Sequence, residues 1–237
     1  MKLTAGLYFP EPYSPSLHLA VLRGIREWIK DSALTVWLTD LPASEVTKAR
    51  VDDTDIRGRK FDLRWYDGEL AAVIGGHYVN YIDFRLEGSW REITLMTFLY
   101  DDTNVLFDIR FELTDEEVTQ KGPLIPSDIG ESRMLEALDR IDPVWAVVGV
   151  EAFTPDIDEI LRGAPVDFGH AYFGTRLVEL VGREGMAEAL QTCPKVVHLP
   201  KGGVYQEWNI PRWWEQPGYN LLEVLIKASL GDLRDLQ

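Results

Sequence analysis

The sequence predicts an α+β fold, an antiparallel β-meander with helices packed on one face. Two features predict it. Residues 61–113 alternate apolar and polar side chains in runs separated by short turns, and a parallel crossover would need about a dozen residues at each of those turns. Outside that region, apolar residues recur at helical spacing, the mark of helices with one buried face.

The elements follow in chain order. Leu3 to Phe9 is a short apolar run ended by Pro10, which suits a strand. Ser14-Pro15 supplies an N-cap and a first-turn proline. Leu17, Val21, Ile25, Trp28 and Ile29 then form a helical stripe, with Arg23, Arg26, Glu27 and Lys30 off it. Leu34 to Leu38 reads as a second strand. Phe61, Leu63 and Trp65 alternate with Asp62 and Arg64, and Asp67-Gly68 turns the chain back into Leu70 to Ile74. Ile82, Phe84 and Leu86 alternate with Asp83, Arg85 and Glu87. Gly88-Ser89 leads into Ile93 to Leu99, and residues 101–104 turn the chain into Val105, Phe107, Ile109, Phe111 and Leu113. One face of this sheet is apolar and the other polar.

Thr114-Asp115-Glu116-Glu117 is a capping box that opens a short helix. Residues 128–141 form a helix with Ile129, Met134, Leu135, Leu138 and Ile141 inward, and Trp145 to Val150 is a buried strand. Thr154-Pro155 caps a helix ending at Leu161. Tyr172-Phe173-Gly174 precedes helical residues 175–190, interrupted near Gly182 and Gly185. Val196 to Leu199 and Val204 to Trp208 flank Pro200-Lys201-Gly202-Gly203 as a hairpin. Leu221 to Leu230 is apolar on most sides and is expected to be a buried terminal helix. Residues 119–128 mark a boundary between possible halves, 1–120 and 128–237, within one α+β domain spanning 1–237.

Composition narrows the function. The chain has 237 residues, 46% of them apolar, enough for a core, and a net charge of −15. Residues 1–60 hold 9 basic and 8 acidic side chains, residues 61–122 hold 5 and 13, and residues 123–237 hold 10 and 18. The acidic surplus therefore begins with the meander. A field of this sign repels phosphate backbones and anionic lipid, so neither nucleic acid nor a membrane surface is an expected partner. It attracts a basic partner and speeds the encounter. No run approaches the ~18 apolar residues of a membrane span. No export signal is visible after Met1, and the single Cys193 forms no internal disulfide, which fits a reducing, cytoplasmic setting.

The motifs of common enzymes are missing. There is no Gly-x-Ser-x-Gly, no Ser-x-x-Lys, no Gly-x-Gly-x-x-Gly and no phosphate-cradling Gly-x-x-x-x-Gly-Lys-Ser/Thr loop. Lys201-Gly202-Gly203 reads as a hairpin tip. His18, His77, His170 and His198 show no metal-binding spacing. His18 borders an apolar helical stripe, and His170 sits among Phe168, Tyr172 and Phe173, where aromatic packing is its expected role. A spatial pair between Cys193 and His198 competes with a buried structural cysteine. Asp52, Asp53 and Asp55 resemble half a calcium loop, but Lys60 and Phe61 stand near the place of its essential glutamate. Asp156, Asp158 and Glu159 fit a first helical turn, where the macrodipole favours acids. No catalytic residue, metal or cofactor is therefore expected. Trp213-Trp214, after Pro211 and before Pro217-Gly218, is a loop pair that either folds back as a lid or stands out as an anchor, and the burial habit of tryptophan favours the lid.

Taken together, the amphipathic first helix, the meander around Trp65 and Trp90, Ala171-Tyr172-Phe173-Gly174 before a helix, and the late turn Leu199-Pro200-Lys201-Gly202-Gly203-Val204 resemble a known family. It is the family catalogued as immunity protein 52, from bacterial polymorphic-toxin and type VI secretion systems. The resemblance implies a cytoplasmic, non-enzymatic protein that binds and neutralises a cognate secreted toxin, often a nuclease, and it transfers a role without transferring a site. The expected contact residues are reachable acids and aromatics: Asp101 and Asp102 at a hairpin tip, Asp115, Glu116 and Glu117 at a helix start, and Trp213 and Trp214. The alternatives are a hydrolase with a carboxylate site assembled in space, which sequence does not reveal, and an interaction module with another partner.

Overall fold

The computed structural model describes residues 1–26, 33–38, 59–64, 79–85, 92–100, 104–119, 125, 130–150, 152, 154–164, 168–208 and 212–235. Its strands are β1 (Lys2–Phe9), β2 (Ala33–Leu38), β3 (Arg59–Arg64), β4 (Val79–Arg85), β5 (Glu92–Tyr100), β6 (Asn104–Glu112), β7 (Trp145–Val150), β8 (His170–Phe173), β9 (Lys195–His198) and β10 (Val204–Glu207). They form one sheet in the order β3-β2-β4-β5-β6-β1-β7-β8-β10-β9, with antiparallel pairing throughout. The helices are α1 (Pro15–Arg26), α2 (Asp115–Thr119), α3 (Glu131–Ile141), α4 (Ile157–Leu161), α5 (Thr175–Val181), α6 (Arg183–Ala189) and α7 (Pro217–Asp235). The chain is therefore α+β with an antiparallel, meander-like sheet.

The meander holds where its turns are short. β4, β5 and β6 are successive neighbours, with Ile82 opposite Leu95 and Leu95 opposite Ile109. β3 departs from it: it pairs with β2, and β2 rather than β3 lies beside β4. The long stretch between β3 and β4 lets another strand come between them. The Asp67-Gly68 hairpin, its return strand Leu70 to Ile74 and the Gly88-Ser89 turn lie outside the described residues.

β1 sits at the centre and joins the two halves. It pairs with β6 from Lys2↔Glu112 to Phe9↔Val105, and with β7 from Leu3↔Val150 to Tyr8↔Trp145. Both faces of β1 are buried because each joins a different core. On one face Leu3, Ala5, Leu7 and Phe9 pack with Phe107, Ile109 and Phe111 beneath α1 and α3. On the other face Tyr8 stacks on Trp145, ring centroids 3.9 Å apart, within a second core that takes in α4 to α7. Helices thus cover both faces, where one was expected. The reason is the apolar run of β7: Ala146 and Val148 face the first core while Trp145 and Val147 face the second, so both sides need a cover.

The helix ends follow local rules. Ser14 Oγ accepts from the Leu17 amide at 3.1 Å and opens α1. Thr114 and Glu117 form the expected reciprocal box at 3.2 and 2.8 Å. α4 starts two residues later than expected: its cap is Asp156 rather than Thr154, boxed with Glu159, because a carboxylate at that position reaches the third amide. Gly182, at φ 82°, separates α5 from α6 in a conformation that other residues adopt only with strain. α3 ends at Asp142, whose φ is 54° and whose amide donates to Leu138 O at 2.8 Å.

α1 and α3 approach closely at Gly24, where an added Cβ would overlap the Ile141 side chain. A glycine inside a helix ordinarily costs about 1 kcal/mol relative to alanine. Here the overlap reverses the sign, since overpacking a core costs about 1–3 kcal/mol. Gly24→Ala is expected to lower stability by about 1 kcal/mol or more in urea unfolding. A more stable variant would show that the helices can separate at little cost.

Candidate functional surface

The direction of the strands decides which expected contact residues come together. β6, β7 and β10 run the same way, because β1 and β8 alternate with them in antiparallel steps. Their C-terminal ends, Glu112, Val150 and Glu207, therefore share one end of the sheet. α2 follows β6 there, with Asp115 and Glu116 exposed and Glu117 half-buried in its capping box. Trp208, the residue after β10, packs edge-on to Tyr219 of α7 at the same end, and the 3-10 turn Trp213–Glu215 immediately precedes that helix. Asp101 and Asp102 lie outside the described residues. The strands that flank them close at Tyr100↔Asn104, the opposite end of the sheet from Glu112. The acids of α2 and the tryptophan turn thus share an end, and the β5–β6 connection does not.

Trp214 is 54% exposed, so it is not the buried lid that its residue type favoured. The turn is held instead by its backbone and charges. Glu215 N donates to Arg212 O at 2.9 Å, and the two side chains pair at 3.5 Å.

A charged row that the sequence reading did not single out lies on the strands nearest the β9 edge. Glu207 is directly opposite His170 on β8 and Lys195 on β9. Its side chain is 8% exposed; Oε2 accepts from Lys195 Nζ at 2.9 Å, and Oε1 lies 4.0 Å from His170 Nδ1. Glu131, in the first turn of α3, holds the other side of the Lys195 ammonium. Partial burial alone would lower the pKa of Lys195, but the hydrogen bonds and charges of the two glutamates outweigh it and push the pKa up. Beside this row, Cys193 Sγ faces Lys195 O and Glu207 O at 3.3 and 3.5 Å, and burial pushes its thiol up and away from reactivity. Lys195 is held by both glutamates, and the 4.0 Å His170–Glu207 distance leaves no tight base–orienter pair. The row reads as a staple between the sheet edge and α3.

Cys193, His18 and Asp108 also serve the fold. Cys193 and His198 do not form a pair: the Sγ partners are backbone and amide oxygens of Lys195, Gln206 and Glu207. His18 is wholly buried rather than at the core edge, 3.3 Å from Tyr13 Oη and edge-on to Phe107. Burial lowers its pKa to about 3, so it is neutral. Asp108 is buried on the second sheet face, tied to Arg110 Nε at 2.7 Å, and burial raises its pKa against the pull of Arg110. Arg110, Lys2, Thr4 and Glu112 line an open groove of about 560 Å³. A second groove, of about 510 Å³, runs between α3 and the β9–β10 turn along Leu135, Leu199 and Pro200. Among the described residues, no three His, Cys, Asp or Glu side chains gather as a metal-binding group, and no helix is long and apolar enough to cross a membrane.

Two outcomes test this account. Breaking a fully buried ion pair costs about 3–5 kcal/mol, and the partial exposure of Lys195 reduces that to about 2–3 for Glu207→Ala. Denaturant midpoints will measure it, and an unchanged midpoint would remove the staple. For His18 the unfolded pKa is 6.5 and the folded one about 3, so between those values the unfolded chain binds the extra proton. Stability due to this group is full above pH 6.5 and falls as pH drops, by about 1.4 kcal/mol per unit. Relative to His18→Leu, the native chain should show that slope from about pH 6 to pH 4 in urea titrations. Parallel slopes for the two proteins would mean that His18 is charged in the fold.

No family model, no curated protein and no solved structure matches this chain.

Proposed function

We propose that the chain is a non-enzymatic immunity protein of the cytoplasm. It binds a cognate secreted toxin, a basic nuclease, and covers the toxin's active site with an acidic surface. The observation that carries the reading is charge and where it stands: a net −15, with Asp115 and Glu116 exposed at the start of α2. Five of the chain's cations are held by its own carboxylates. Arg110 is held by Asp108, Lys195 by Glu131 and Glu207, Arg212 by Glu215, Lys227 by Glu223 and Arg234 by Asp158. A nuclease must be cationic where it grips phosphate. An inhibitor that offers carboxylates competes for that groove and is steered to it, which suits a protein that must act before its host is damaged.

Co-expression with a toxin gene encoded beside this one should restore growth and yield a complex on size exclusion. Neither rescue nor complex would end the reading. Reversing Asp115 and Glu116 to Lys, with Glu117 left to its capping box, should slow association about tenfold at low salt and flatten its salt dependence. Stopped-flow mixing at two salt concentrations will measure it, and unchanged kinetics would show that these acids only begin a helix.

A further inference from the structure

α7 was expected to be a buried terminal helix; one side of it is buried, and the other is not. Its inner side, Tyr219, Leu222, Ile226, Ser229, Leu230 and Leu233, is buried in the second core. Its outer side carries Pro217, Val224 and Ala228, all exposed with Val224 at 64%, together with half-buried Gly231 and Leu221, the latter also packed against the second core. The intervals between these five residues are four, three, four and three. That is the 3.5-residue repeat by which one helix seats along another. Solvent-facing helix sides normally carry charge; this stripe carries none from residue 217 to residue 231. The 3-10 turn just before α7 carries Trp214, 54% exposed, a residue type enriched among binding hot spots.

Charge selects the occupant. Alongside the stripe α6 packs closely, with Leu225 Cδ1 in van der Waals contact with the place of a Cβ at Gly185. Its Glu184 and Glu188, and Asp232 of α7, are exposed and make no ion pair among the described residues. On the other flank Lys227 is taken by Glu223 at 2.8 Å. Arg183 is the exposed cation of α6. The rim is thus acidic around an apolar seam. A second copy would bring the same rim and another −15 against it.

We infer that the outer face of α7, with Trp214 at its head, is the docking seam for an amphipathic basic helix of the partner protein. This rests on the reading of the chain as a binder of a basic toxin. The acids of α2 steer the encounter, and the seam holds the complex.

The probe is a fluorescently labelled 18-residue helix of Leu and Lys with a 3.5-residue apolar repeat, titrated by anisotropy against the full chain. Val224→Glu separates docking from plain charge attraction. It adds a negative charge, so unspecific attraction would be unchanged or tighter, whereas docking should weaken about tenfold or more. Ala228→Glu, also at an exposed position, should do the same, and Glu184→Gln with Glu188→Gln should weaken binding and reduce its salt dependence. No binding by the native chain, or equal or tighter binding by both Glu variants, would overturn the inference. So would a native dimer in light scattering that Val224→Glu converts to monomer, since the seam would then belong to a second copy. The two proposals fail separately. A toxin complex insensitive to Val224→Glu removes the seam and leaves the immunity role. Peptide docking without any toxin complex leaves the seam and removes the role.

Discussion

The structure depends on one strand being buried on both faces. β1 is first in sequence and central in the sheet, with β6 on one side and β7 on the other. Its pairing is fixed twice over. A slip of one residue would move Leu3, Leu7 and Phe9 out of the first core and take Tyr8 off Trp145. Each such apolar side chain contributes about 1.5–3 kcal/mol by burial, so the native register is strongly preferred. Because β1 bridges residues from both halves, the segments 1–120 and 128–237 share a continuous sheet. Neither half keeps its own sheet edge at this seam.

A second constraint sits at Asp142. At the left-handed end of α3 its carboxylate accepts from Tyr172 Oη at 2.8 Å and from the Thr175 amide at 2.9 Å. One side chain therefore joins the helix of the first face, the β8 strand and the start of α5 on the second face. Burial, then the hydrogen bond and charge of Asp142, push the Tyr172 hydroxyl above its usual range, which keeps it a donor. With the Glu131–Lys195–Glu207 row, this means that α3 is tied at both ends to the strands on the β9 side of the sheet. The charged groups named here hold elements together.

Much of this was legible. The antiparallel succession of β4, β5 and β6, the capping box at Thr114, the hairpin around Pro200–Gly203 and the break at Gly182 all rest on local patterns of strands, turns and caps, which neighbours in space rarely override. What was not legible depends on non-local pairing. That β2 lies between β3 and β4 is a choice among strands of similar pattern. That helices cover both faces follows from the surroundings of Trp145 to Val148, and a continuous apolar run does not say what lies on each side. The Lys195–Glu207 pair was within reach: once the 199–203 turn is assigned, counting outward from it sets those two residues opposite each other. His170 and Glu131 join them only through β8 and α3. The stripe of α7 was visible as excess apolarity, yet the sequence alone assigns that to burial, since it cannot show that the second core is filled by the other side of the helix.

The separation of charge from apolar surface has a kinetic meaning for a binder. Long-range attraction acts before contact and raises the association rate, but it is screened within about 8 Å at physiological salt and adds little to the lifetime of a complex. Lifetime comes from desolvated apolar contact at the centre of an interface, where a few residues dominate. A chain that was acidic alone would meet any cation quickly and release it as quickly. A chain with only an apolar seam would meet its partner slowly and also risk self-association. In the proposed binder, Asp115 and Glu116 beside β6 would serve the encounter and the seam of Val224, rimmed by Glu184, Glu188 and Asp232, the lifetime. On that proposal the acidic rim that would attract a basic helix would also repel a second copy of the chain, so that an exposed apolar stripe could persist on the free protein.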